Sequence, residues 1–152
     1  MVCGETIDIE DLRVRHSGNV VRNVIEGAFT VLDRFAQVDQ VRETMRAIEL
    51  RPAHQEAFTR AALQLRYNPE QEVEAPIDAR QLNVPRRVED RGSDLWRTFN
   101  RVQENMTKGG VIGRNPTTGR HMTTREVKSV SENVRLNRAL WTLAEEMARL
   151  AA

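Results

Sequence analysis

Ser93-Asp94-Leu95-Trp96-Arg97-Thr98-Phe99-Asn100-Arg101-Val102-Gln103-Glu104-Asn105-Met106 is the stretch from which the fold is read. Leu95, Trp96, Phe99, Val102 and Met106 recur at the spacing that places apolar side chains on one face of an α-helix. Ser93-Asp94 stand just before the first apolar residue, where a short polar side chain can accept from the free amides of the first turn. Gly109-Gly110 follow the last one, and glycine tolerates the left-handed backbone that ends a helix. The segment therefore predicts an amphipathic helix marked at both ends.

Beyond it, Val111-Ile112 and Met122 to Val127 are β-prone runs flanking Asn115-Pro116-Thr117-Thr118-Gly119. Turn residues between two such runs predict a β-hairpin with a longer loop. Ser129 and Glu132 then have the spacing of a capping box. The helix they open carries Val134, Leu136, Leu140, Trp141, Leu143, Ala144 and Met147 on one face. That stripe serves either a core or a dimer interface, so a homo-oligomer stays open.

Upstream, a short helical turn is expected around Ile77–Leu82, stopped by Pro85. The acidic, aperiodic stretch Glu70 to Pro76 reads as a surface linker. Pro52 suits a first helical position, with Phe58, Ala61, Ala62 and Leu65 on the apolar face and Asn68-Pro69 ending the helix. Asp39 is placed to cap a helix carrying Val41, Met45 and Ile48. Before that, Val20, Val21, Val24, Ile25, Ala28, Phe29, Leu32 and Phe35 predict another helix behind the Ser17-Gly18-Asn19 turn. Thr6 to Glu10 and Leu12 to Arg15 alternate as short strands do. The fold class expected is α+β and mostly α-helical: helices packed in one core, with a β-hairpin inserted between the last two long helices.

The 152 residues fit one domain, since soluble domains usually run about 100–200 residues. With 39% hydrophobic residues the chain can bury a core. Its mean hydropathy of -0.56 and lack of a long uncharged apolar run exclude a transmembrane helix, and no membrane partner is expected. The opening residues lack the basic and apolar stretches of a signal peptide, so the cytoplasm of the host cell is the expected location. Residues 1–83 carry 10 basic and 14 acidic side chains, whereas residues 84–152 carry 13 basic and 8 acidic. The single domain thus divides into an acidic helical first half and a basic helix-hairpin-helix second half.

A catalytic centre is not evident, and the expectation is a protein that is not an enzyme. Cys3 is the only cysteine, and His16, His54 and His121 are far apart without metal-ligand spacing. Neither a metal nor another cofactor is expected. Gly109 to Gly113 lacks the Gly-Lys-Ser/Thr ending of a phosphate loop and reads as a helix stop followed by a strand. Glu145 and Glu146 point about 100° apart on a helix and read as surface acids.

The candidate nucleic-acid-binding residues are Lys108, Arg114, Arg120, His121, Arg125 and Lys128, with Glu126 the one acid among them. A protruding basic hairpin suits phosphate, because each neutralised phosphate releases counterions. The ordinary alternative is a loop made basic by chance, or one whose arginines pair with the acidic first half. Arg97, Arg101, Arg135 and Arg138 could widen the basic surface, unless Glu104 and Glu132 neutralise part of it.

Asp94 to Asn105, Gly109-Gly110, Gly119-Arg120, Thr123 to Val127 and Asn133 to Trp141, with Gly18-Asn19 and Glu26 to Phe29, together carry a family likeness. The chain resembles the phage/plasmid-like proteins grouped as domain-of-unknown-function family 932, and specifically their C-terminal half. The resemblance implies a mobile-element setting and transfers no catalytic residue. It leaves two expectations. One is a non-catalytic accessory of phage or plasmid DNA metabolism that binds nucleic acid, single-stranded or duplex, through the hairpin. The other is an anti-CRISPR or other anti-defence inhibitor that binds a host defence complex. The first needs Arg114, Arg120 and Arg125 free to reach phosphate; the second permits them to be internally paired.

Overall fold

A computed structural model of the chain describes residues 37–71 and 73–151. The expected strands at Thr6 to Glu10 and Leu12 to Arg15, the Ser17-Gly18-Asn19 turn, the helix from Val20 to Phe35, and Cys3 and His16 lie outside the described residues. Of those described, 37–44 belong to one unit, Met1–Thr44, and the remainder to a second, Met45–Ala152. The architecture is α+β and mostly helical.

Helix α1 covers residues 37–46. Asp39 therefore sits inside it and does not cap it; its carboxylate meets Arg42 Nη2 at 3.1 Å, an exposed pair one turn away. Met45 is buried and Ile48 lies past the end of the helix.

In the second unit, α2 spans Pro52–Arg66, α3 spans Leu95–Lys108 and α4 spans Val130–Ala151. Pro52 holds the first helical position of α2, as its fixed φ and missing N–H suit. The buried residues of α2 are Phe58, Thr59, Ala62 and Leu63; Ala61 and Leu65 are only half-buried, so the inward face is turned slightly from the expected stripe. Thr59 tolerates burial because its hydroxyl donates to the Gln55 and Glu56 carbonyls. Tyr67 ends the helix, one residue before Asn68-Pro69.

Asp94 caps α3 as expected: its Oδ1 accepts from the Arg97 N–H at 2.9 Å. The start of the helix is also tied to the segment before α2, where Leu50 N–H donates to Ser93 O and Leu95 N–H to Ile48 O. Gly109 ends α3 with φ +66°. In α4, half of the capping box forms. Ser129 Oγ accepts from the Glu132 N–H at 3.3 Å, while the Glu132 side chain turns to Arg135.

The three helices and a 3-10 turn at Ala79–Asn83 enclose one core. Phe58, Ile77, Leu82, Leu95, Phe99, Val102, Leu136 and Leu140 are fully buried there. Phe99 is the meeting point: Phe58 lies 6.5 Å away, Trp96 stacks at 6.3 Å and Trp141 presents its edge at 5.5 Å. Each such aromatic pair adds about 0.5–1.5 kcal/mol beyond its buried area. On α4, Leu136, Leu140, Ala144 and Met147 face the core, while Val134 is 37% exposed and drops out of the expected stripe. The short turn expected near Ile77–Leu82 is present, and Ile77 and Leu82 are core residues.

The hairpin lies between α3 and α4. Its strands are β1, Ile112–Arg114, and β2, His121–Thr123, paired antiparallel with Ile112 opposite Thr123, Gly113 opposite Met122 and Arg114 opposite His121. β2 is shorter than the β-prone run from Met122 to Val127, whereas β1 extends past Val111-Ile112 to Arg114. The pairing continues irregularly below them through Thr124 N–H to Val111 O and Gly110 N–H to Thr124 O.

Gly109 is the tightest point of this junction. A Cβ there would stand 2.4 Å from the Arg125 carbonyl carbon and the Glu126 nitrogen, in a left-handed conformation that already disfavours side chains. Gly109→Ala is expected to lower the unfolding free energy by at least about 2 kcal/mol. A urea titration reads this as a lower midpoint at unchanged slope.

Candidate nucleic-acid interface

The hairpin loop is built by Asn115. Its Oδ1 accepts from the Thr117 and Thr118 N–H groups at 2.8 and 3.0 Å, while Asn115 N–H donates to Arg120 O and accepts Gly119 N–H on its own carbonyl. A short amide side chain that satisfies the turn's backbone is why Asn stands at this position. With that loop closed, Arg114 and His121 lie opposite one another.

Gly113 faces inward. An added Cβ would meet Gln81 Cγ at 2.9 Å and Ile77 at 3.0 Å, so only a glycine lets the strand approach the turn this closely. Strand residues alternate faces, so the neighbours Ile112 and Arg114, with Thr123 and His121 opposite them, face outward. All four are exposed.

Of the predicted cations, Arg114, Arg120, His121, Arg125 and Lys128 are exposed, and none forms an ion pair among the described residues. Lys108 is different: its Nζ lies 2.7 Å from Glu104 Oε1, so its charge is already matched. The other Glu104 oxygen makes no hydrogen bond and meets Arg87 Nε at 3.4 Å. Burial disfavours charge on Glu104, but Lys108, Arg87 and Arg86 together outweigh it and hold the carboxyl below its ordinary value.

The flanking arginines do not form the continuous surface that helical spacing suggested. Arg101 is only 4% exposed and belongs to the interior. Its guanidinium donates to Asp90 O at 2.7 Å, to Asn83 Oδ1 at 2.9 Å, to Thr98 Oγ1 and to Gly92 O. Burial lowers its pKa, against the pull of Asp94 and Asp90. Arg97 is half-buried and engaged by Asp94 at 2.6 Å and by Glu89 O at 3.1 Å. Arg135 pairs with Glu132 and also donates to Leu65 O across to α2. Arg138 is exposed. The physical reason is common to the first three: backbone carbonyls and carboxylates from other segments occupy their donors.

Two arginines that the sequence reading passed over also shape the site. Arg86 donates to Asn105 Oδ1 at 2.7 Å and to Gly109 O at the base of the hairpin. Arg66 reaches from α2 to Met106 O at 2.7 Å and to Arg125 O on the segment that follows β2. Arg80 stands beside the hairpin, ion-paired to Asp78 at 3.3 Å. Among the described residues, no group of three or more His, Cys, Asp or Glu side chains is arranged to hold a metal, and no helix is long and apolar enough to cross a membrane.

The family described as "Domain of unknown function (DUF932)" matches residues 1–141. The chain belongs to this family. It is also similar to the UPF0380 proteins YafZ and YfjQ of Escherichia coli (strain K12), at 43% identity over 147 residues in each case. Those alignments cover 97% of this chain and 52% of either relative, so the chain spans about half the length of the curated relatives it matches. No solved structure matches.

Within this DUF932 chain the Glu104 cluster gives a defined acid response. The folded pKa lies below the ordinary carboxylate value, so the stabilisation is present above the unfolded pKa and is lost as pH falls through the folded one. Glu104→Gln is expected to be less stable than the parent at neutral pH and to lose less stability on acidification below about pH 4.5. Thermal melts at several pH values check both statements.

Proposed function

We propose that this chain is a non-catalytic nucleic-acid-binding protein of phages or plasmids, acting as an accessory of their DNA metabolism through the basic hairpin. The observation that carries this reading is the exposure of Arg114, Arg120 and Arg125 with no ion pair among the described residues. Unmatched guanidinium groups along the hairpin can each replace a counterion at a phosphate. The resemblance to phage/plasmid-like proteins supports the mobile-element setting.

The anti-defence alternative draws on the acidic first half as a surface for a basic host subunit. In its described part, Asp39, Glu56 and Asp78 are engaged by Arg42, Arg60 and Arg80, while Glu49, Glu70 and Glu74 are exposed with no ion pair among the described residues.

Fluorescence anisotropy of labelled single- and double-stranded oligonucleotides tests the reading directly. Binding should weaken between about 50 and 200 mM salt, with the Arg114→Ala, Arg120→Ala, Arg125→Ala triple variant lowering the log–log salt slope by about two on the single strand and nearly three on the duplex. Affinity should fall at least about tenfold in that variant. No binding at the lowest salt overturns the reading and turns attention to host defence complexes.

A further inference from the structure

Beside the hairpin runs a cleft of about 470 Å³, bounded on one side by Asp78 and Arg80 of the Ala79–Asn83 turn region. On the other side stand Ile112, Arg114 and His121 of the two strands, with Pro116 at the loop. It is an open groove, its volume within the range of small-ligand sites, about 300–1,000 Å³.

Three features of the cleft converge on one kind of occupant. Cationic donors come from both walls, Arg80 from the turn and Arg114 from β1, with the His121 imidazole directly across the ladder from Arg114. The Arg114 guanidinium and an imidazole N–H opposite one another on an exposed face can both donate to an anion lying between them. Ile112, 67% exposed, gives the same cleft an apolar surface that a base can cover. Finally, the walls are held at a set distance. Gly113 packs against fully buried Ile77 with no room for a Cβ, which fixes how closely β1 approaches the turn region.

Asp78 limits how a ligand can lie. Its carboxylate accepts from the Arg80 N–H at 2.9 Å, from Nε at 3.3 Å and from Nη2 at 3.4 Å, which keeps Asp78 ionised and leaves Nη1 as the Arg80 donor with no partner among the described residues. A phosphate is repelled from the carboxylate itself and can meet Arg80 only at Nη1, whereas the amino edge of a base can approach Asp78.

We infer that this cleft takes one unpaired nucleotide of a single strand, its phosphate held by Arg80, Arg114 and His121 and its base lying over Ile112. The inference rests on the nucleic-acid reading above and narrows it, because the bases of a duplex are stacked and paired and cannot enter a cleft between two protein elements. Arg80 lies outside the basic segment from Lys108 to Lys128, so it separates the cleft from the hairpin's general charge.

The test uses the full chain and two probes: a labelled oligothymidylate of about 20 nucleotides, and the same strand annealed to its complement. The parent chain should favour the single strand by about tenfold. Arg80→Ala, at a side chain that is 77% exposed and so removable without harm to the core, should reduce single-strand binding by about tenfold and leave duplex binding within about twofold. Circular dichroism confirms that the variant is folded. Equal affinity for both probes, or an Arg80→Ala variant that binds the single strand as the parent does, overturns the cleft inference. If that equal binding is still lost in the triple hairpin variant, the nucleic-acid reading stands without the cleft. No binding to either probe overturns both.

Discussion

The second unit depends on side chains of α3 that stand in for a missing backbone ladder. Between Glu74 and Asp94 the chain forms only 3-10 turns and irregular structure, so many of its carbonyls have no partner in a helix or sheet. Buried carbonyls left unpaired cost about 1–3 kcal/mol each. Asn105 Nδ2 donates to Leu82 O at 2.8 Å and to Val84 O at 2.9 Å, and Arg101 covers Asp90 O and Gly92 O. This is why α3 buries Arg101 and Asn105 as well as its apolar face. Gln103 in turn donates to Asn137 on α4 at 3.1 Å, and Asn137 donates to Asn133 O, so that polar contact is closed within the interior.

The same network fixes the hairpin. Leu82 enters the core with its carbonyl satisfied by Asn105, and buried Ile77 is the surface on which Gly113 rests. Arg86 and Arg66 then pin the two ends of the hairpin, at Gly109 and Arg125 respectively, to α3 and α2. The arginines of the chain thus divide by task. Arg66, Arg86 and Arg101 use their several donors on carbonyl groups and hold irregular backbone, for which a planar five-donor group suits better than an ammonium. Arg114, Arg120 and Arg125 stand exposed on what those others have positioned.

Membership of the DUF932 family adds no active site to this arrangement, and function has to be argued from the surface itself. A chain covering half the length of YafZ or YfjQ can carry one surface of the longer proteins, and the hairpin with its adjoining cleft is the most built of those described. The hydrogen-bonded turn, the inward glycine and the outward cations belong to one unit, so a ligand would meet a surface already formed.

Local signals in the sequence determined the helices and the hairpin. The apolar spacing from Leu95 to Met106, Asp94 before it, Gly109-Gly110 after it and Pro52 at the start of α2 act within one or two turns of backbone, and the structure follows them. The exposed cations of the hairpin were legible for the same reason, because a short turn can project whatever side chains it carries. Burial of Arg101, engagement of Arg97 and Arg135, and the place of Ile77 in the core were decided only by tertiary structure. Helical spacing tells which side chains share a face but not what will cover that face. At Arg101 the cover is a run of carbonyls from Asp90 and Gly92, brought there by the path of the intervening chain. Whether an arginine is a free charge or a structural donor depends on those long-range partners, and periodicity does not encode them.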